Sequence, residues 1–204
     1  AKPAARAASG FDLSSPGQLV TWVLSTLLVG GMSIVAERRM GTLRRLLTMP
    51  VSPATLLAGR FLGRFLLGAI QMVIMIGFGA GVLGVSWGSS PLALAMVAVS
   101  FGLAATSLGL FIATIAHTEQ QASGYAALGV FVLAPLGGAW FPMEITSPIF
   151  QYVTQALPTT WAMHGFTAVI ARGVGPQGVL MDCGVLVTFA IALFVLGVRR
   201  FELK

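Results

Sequence analysis

QLVTWVLSTLLVGGMSIVA (18–36) runs directly into ERRMGTLRRLLTMPVSPATLLAGRFLGR (37–64). The first stretch is uncharged and nearly as long as the roughly 20 apolar residues that carry a helix across a bilayer. The second is not an ordinary hydrophilic loop. Leu43, Leu46 and Leu47 fall at i, i+3 and i+4, one face of a short helix, with Arg44 and Arg45 pointing elsewhere. Met49-Pro50 ends that helix, because the residue before proline avoids the α region. Ser52-Pro53 restarts one, with serine as N-cap and proline at the first helical position. The restarted helix runs through Arg60 and Arg64 into the next apolar run, and these two arginines, four apart, share a face near the cytoplasmic boundary from which they can snorkel. Arginines 38, 39, 44 and 45 would together cost about 10 kcal/mol at the bilayer centre, at about 2.5 each. The helix-break-helix therefore belongs at the membrane surface.

Composition agrees with that reading. Charged residues are 9% of the 204, against roughly 25% in soluble domains. Hydrophobic residues are 56% and the mean hydropathy is +0.91. A soluble domain would lack a charged skin, and a disordered chain would lack this much apolar surface. The net charge of +6 sits in clusters between apolar runs, which is membrane-protein usage and not a nucleic-acid signature. A single cysteine, Cys183, excludes an internal disulfide and a cysteine-based metal cluster. Two distant histidines, His117 and His164, exclude an HExxH site. The only lysines are Lys2 and Lys204, so a P-loop lysine is excluded and any ATP must be bound by another polypeptide or domain.

The sequence predicts an all-α integral membrane protein with five spans, near 18–36, 63–85, 92–116, 122–142 and 178–198. SWGSSP (86–91) divides the second from the third. Residues 143–177 are uncharged from Ile145 to Ala171, but Pro148 and Pro158 interrupt any helix there. Thirteen residues separate Pro158 from Arg172, about 20 Å of helix, too short to cross. Two short helices are expected instead, about 148–157 and 160–172, at the interface or dipping part-way in, among Trp140, Phe141, Phe150, Tyr152 and Trp161.

With five spans, loop 37–60 and the C-terminal tail share one side and hold eight basic residues, against Lys2, Arg6 and Arg172 on the other. The positive-inside rule places the first side in the cytoplasm of an inner, cell membrane. Residues 1–17 then lie outside, with nothing ahead of residue 18 to carry them there. An earlier span preceding residue 1 is the expectation, making six in all; a short tail that translocates unaided is the alternative. Small-xxx-small pairs at Gly59/Gly63, Gly77/Gly81, Ala105/Gly109 and Ala134/Gly138 suit close helix packing within the bundle, or a subunit seam for one of them.

The run E-R-x-x-G-T-L-x-x-L-L-x-x-P-V-S, carried here by Glu37, Arg38, Gly41, Thr42, Leu43, Leu46, Leu47, Pro50, Val51 and Ser52, resembles the permease subunits of ABC-2 type exporters. WFPMEITSPIFQYVTQALPTTWAMHGFTAVIARG (140–173) looks like that family's external re-entrant hairpin, with Phe141, Pro142, Pro148 and Pro158 in matching places. The resemblance covers about residues 17–204; Arg44-Arg45 depart from it, since an acidic residue often follows the leucine. It implies six spans and a coupling helix docked on a cytoplasmic ATP-binding cassette subunit. It also implies ATP and Mg held by that subunit, and a second permease copy, identical or related. The residues alone leave the 37–60 segment open between such docking and a basic helix resting on anionic membrane lipid.

No nucleophile–base pair, metal cluster or phosphate loop is legible, so the chain is expected to be a transport subunit and not an enzyme. Asp182 is expected to reach the interface, with Arg172 as a possible partner; His164 is assigned to interfacial packing and His117 to a solvated turn. Thr21, Ser25, Gln71 and Tyr125 are candidate groups along a path for a hydrophobic or amphipathic substrate, a lipid or drug-like molecule. Two other classes stay open: a membrane scaffold or regulatory subunit that docks an ATPase without transporting, and a membrane-embedded enzyme or channel.

Overall fold

The computed structural model describes residues 10–40 and 53–202. Every regular element among them is helical. In chain order these are α1 (Gly10–Val29), α2 (Met32–Arg39), α3 (Pro53–Gly81), α4 (Pro91–Ile115), α5 (Glu119–Leu136), α6 (Pro148–Thr154), α7 (Pro158–Ile170) and α8 (Leu180–Glu202). Single 3₁₀ turns at Met143–Ile145 and Pro176–Val179 precede α6 and α8.

The long helices alternate in direction between two ends. One end holds α6, α7 and the 82–90 turn. The other holds α2, the start of α3 and Arg199-Arg200; we call these the hairpin end and the basic end. Three helical stretches, Thr55–Gly81, Pro91–Ile115 and Pro176–Arg200, are long and apolar enough to cross a membrane, which makes this a membrane-embedded, multi-pass chain.

Local chemistry explains most boundaries. Ser90 Oγ accepts a hydrogen bond from Ala93 N at 3.3 Å, with Pro91 opening α4. Thr118 Oγ1 accepts from Gln121 N at 3.1 Å, and Gln121 Oε1 accepts from His117 N at 3.0 Å. This reciprocal arrangement resembles a capping box and opens α5. α3 ends at Gly81 and not at 85, ahead of Gly84 at φ +64°. α5 ends at Leu136 and not at 142, ahead of Gly138 at φ +85°, a conformation that favours glycine.

The first span differs most from expectation. Its helix starts at Gly10, and Gly30-Gly31 breaks it, so 18–36 is not one helix. Two adjacent glycines are the costliest residues to hold helical after proline. The room they leave is also used: a Cβ on Gly31 would lie 2.6 Å from the Gly109 carbonyl oxygen, and one on Gly30 2.9 Å from the Arg64 guanidinium. The chain turns at a point where α4 and α3 both lie against it.

α4 is the central element. Of its apolar window 61% is buried, against 11% for α3. Small residues make this possible. Gly102 lies against Met72 and Phe65, and Gly109 against the backbone at Leu27. The main core packs Leu19, Val23 and Leu27 of α1 around Val97, Phe101 and Ala104 of α4, Phe166 of α7 and Leu186 of α8. A smaller core at the basic end joins Val35, Leu57, Leu110, Ala113, Ala116 and Ala122.

Candidate functional site

A groove of about 380 Å³ runs between α1 and α5. On α1, Gln18, Thr21, Trp22, Ser25 and Val29 line it, a helical i, i+3, i+4, i+7, i+11 series. Ser123, Ala127, Val130 and Phe131 of α5 form the other wall, and Trp140 closes the hairpin end. Trp22, Phe131 and Trp140 are each half-exposed or more. Their polar atoms are engaged locally. Trp22 Nε1 donates to Gln18 Oε1 at 3.1 Å, and Trp140 Nε1 donates to Thr21 Oγ1 at 3.1 Å. Thr21 Oγ1 in turn donates to the Gly17 carbonyl at 2.8 Å. Phe131 and Trp140 meet edge to face with ring centroids 6.0 Å apart. The wall thus offers aromatic faces backed by satisfied polar groups, a surface for an apolar body with few hydrogen-bonding groups.

Of the four path candidates, Thr21 and Ser25 line the groove. Gln71 and Tyr125 do not. Gln71 lies on α3 with Oε1 buried and unpartnered, and Tyr125 sits on α5 outside the lining. Trp22 and Phe131 were missed as site residues, although the Gln18–Thr21–Trp22–Ser25 series is a polar and aromatic stripe at helical spacing. Trp140 was read only as part of an interfacial belt.

At the basic end, Gly41, Thr42, Leu43, Leu46, Leu47, Pro50, Val51 and Ser52 lie outside the described residues, as does the Arg38 side chain. Glu37 is described, and its carboxylate is ion-paired with Arg60 of α3. One turn further along α3, Arg64 Nη2 donates to Ser33 Oγ at 2.6 Å. Both arginines, read from the sequence as able to snorkel, are engaged by α2, which presents a carboxylate and a hydroxyl within reach.

The hairpin forms as two short helices. Pro142 caps the 3₁₀ turn, while Pro148 and Pro158 each open a helix. Phe141 is exposed in the approach to it. Gln151 Nε2 donates to the carbonyls of Met143 and Thr146, and Thr160 Oγ1 to that of Thr154. α7 is anchored in the bundle: Thr159 Oγ1 donates to the Leu133 carbonyl at 2.6 Å, and Ala162, Phe166 and Val169 are fully buried.

Asp182, read from the sequence as reaching the interface, is buried within the protein. It is 1% exposed. Its carboxylate accepts from His164 Nδ1 at 2.7 Å, and Arg172 Nη2 donates to His164 Nε2 at 3.0 Å. Arg172 and Asp182 are thus linked through His164, which the sequence reading left as packing. Among the described residues no three His, Cys, Asp or Glu side chains stand close enough together to hold a metal ion.

A family model described as "ABC-2 family transporter protein" matches residues 15–199. The chain belongs to this family. Among relatives of the ABC-2 chain is the linearmycin resistance permease protein LnrN of Bacillus subtilis, 31% identical over 186 residues. That match covers 91% of this chain and 48% of the relative. The inner membrane transport permease YhhJ of Escherichia coli is 30% identical over 181 residues, covering 86% and 47%. The probable multidrug ABC transporter permease YbhS of Escherichia coli is 23% identical over 187 residues, covering 91% and 49%. The ABC-2 chain therefore spans about half the length of these relatives.

Proposed function

We propose that this chain is the membrane-spanning part of the permease of an ATP-driven exporter, and that its cargo is a hydrophobic or amphipathic molecule held in the α1–α5 groove. The groove carries the reading: in a chain of this family, an open cleft with three aromatic faces and a few hydroxyls suits such cargo. The names of two relatives, a linearmycin resistance permease and a probable multidrug permease, point the same way. In this proposal α1, α3, α4, α5 and α8 are five crossings and the basic end is cytoplasmic. Residues 37–60 dock a separate ATP-binding subunit that holds ATP and Mg. A second permease copy, identical or related, completes the assembly.

The test uses inverted vesicles from cells that express the intact permease with its ATP-binding subunit. ATP-dependent uptake of a lipophilic fluorescent amphiphile should fall about tenfold in Trp22→Ala, through loss of a contact worth roughly 1.5 kcal/mol. Retention of the ATP-binding subunit should be unchanged in that variant. For Leu47→Asp the pattern should reverse, with the subunit lost, since a buried unpaired carboxylate and a lost leucine contact together cost several kcal/mol. If Arg44→Gln/Arg45→Gln does more harm than Leu47→Asp, the segment rests on lipid and the docking assignment fails.

A further inference from the structure

Glu37 belongs to the run of residues whose resemblance points to partner docking, yet its carboxylate is spent inside the chain. It faces Arg60, whose side chain is 17% exposed, while Glu37 itself is 33% exposed. Ser33, one turn earlier on α2, holds Arg64, one turn later on α3. The two contacts form the rungs of an antiparallel ladder between the helices that flank residues 41–52. Ser33 Oγ is itself fixed, donating to the Gly30 carbonyl at 3.1 Å, and the Arg64 guanidinium fills the space beside Gly30. Val35 of α2 and Leu57 of α3 are both fully buried in the small core of the basic end. That core is completed by Leu110, Ala113, Ala116 and Ala122, and the glycine break separates α2 from α1.

We propose that Glu37 is a positioning residue and not a contact for the partner. With Ser33 it locks α2 onto Arg60 and Arg64, so that α2 and the first turns of α3 move as one body, hinged to α1 at Gly30-Gly31. The proposal rests on the exporter reading for its consequence, that a push on the 41–52 segment is delivered to both flanking helices together. The ladder itself stands on the geometry alone. Arg60 is the residue most exposed to its failure: among the described residues Nη1 is already buried without a partner, and removal of Glu37 takes away the counter-charge of the guanidinium.

The experiment places spin labels at Met40→Cys and Ala58→Cys, both exposed, in a Cys183→Ser background of the intact permease with its ATP-binding subunit. Double electron–electron resonance should give one narrow distance, unchanged by ATP. Glu37→Ala should broaden it, and the exchange Glu37→Arg/Arg60→Glu should narrow it again. In parallel, Glu37→Ala should keep the ATP-binding subunit bound but lower ATP-dependent transport about tenfold, a modest coupling loss, with recovery in the exchange variant. A distance unaffected by Glu37→Ala overturns the ladder. Loss of the ATP-binding subunit from Glu37→Ala at unchanged distance shows that Glu37 touches the partner, which overturns the positioning role. If the broadening and its rescue appear in a permease that never retains an ATP-binding subunit, the exporter reading fails while the ladder stands.

Discussion

Asp182 is a carboxylate in the first turn of α8, where the positive end of the helix dipole favours it. Burial opposes its charge, and His164 offsets that cost. The donor order fixes the ring: Nδ1–H faces Asp182, so Nε2 must be the lone pair that accepts from Arg172. We expect ¹⁵N shifts of labelled protein to report the Nδ1–H tautomer; an Nε2–H ring would contradict the chain as drawn. His164→Ala should destabilise by about 2 kcal/mol, the worth of a hydrogen bond to a charged group, here from an imidazole that is 57% exposed. Thermal unfolding in detergent of His164→Ala, Asp182→Asn and the double variant should be strongly non-additive. Additive losses would mean that the contact carries no energy. This link was only half legible in the sequence. Arg172 and Asp182 were paired there, but eighteen residues and a turn separate His164 from Asp182. The overlooked signal was the spacing of His164 and Arg172, eight apart and so just over two helical turns, which carries Arg172 just past the end of α7.

Among elements, α3 is the odd member. Leu62, Leu66, Ile70, Val73, Ile74 and Phe78 are exposed along it, and Gly59, Gly63, Gly77 and Gly81 would each meet nothing if a Cβ were added. Two of the small-residue pairs read in the sequence thus meet no neighbour among the described residues. The pair ending at Gly109 does, since that glycine abuts the backbone at Leu27. Gly63→Leu and Gly77→Leu should leave the melting temperature of the detergent-solubilised chain unchanged. Gly109→Val should cost about 3 kcal/mol, at the upper end for overpacking, because a backbone cannot swing aside as a side chain can. Equal losses at all three would mean that the α3 face is packed. The hairpin permits a parallel test. Ile149→Arg and Val153→Arg, at positions 78% and 64% exposed, should insert normally, whereas arginine at Met75 or Leu108, packed against the core, should lower the yield of inserted protein. The helices themselves were readable because proline and serine mark their starts and the apolar runs mark their bodies. Their ends were not, because glycine conformation at 84 and 138 and the pressure of neighbours at Gly30-Gly31 decide them, and no local pattern encodes a neighbour.

For the molecule as a whole, the charge bias predicts a two-sided labelling pattern. Single cysteines at Met40 and His117 should be shielded from a membrane-impermeant thiol reagent in intact cells, while Trp87 and Ile145 positions should react, all in a Cys183→Ser background. Reaction at Met40 from outside would invert the proposed orientation. The all-helical membrane class was legible because lipid imposes it through composition, and the multi-helix frame because charge-free runs are long. The groove was not, because a cleft is a relation between two helices, and only its α1 stripe is written in one stretch of chain. Its walls, two helices proposed to span the bilayer, have a consequence for dose and response. On the proposed reading, a groove between two spanning helices takes its cargo from the hydrocarbon and not from water, so the concentration it samples is set by partition. Each added methylene raises that concentration about fourfold, at roughly 0.8 kcal/mol, before the cleft makes any contact of its own. Apparent half-saturation, expressed per litre of buffer, should therefore track oil–water partition across a homologous series, and should become nearly constant when expressed per mole of lipid.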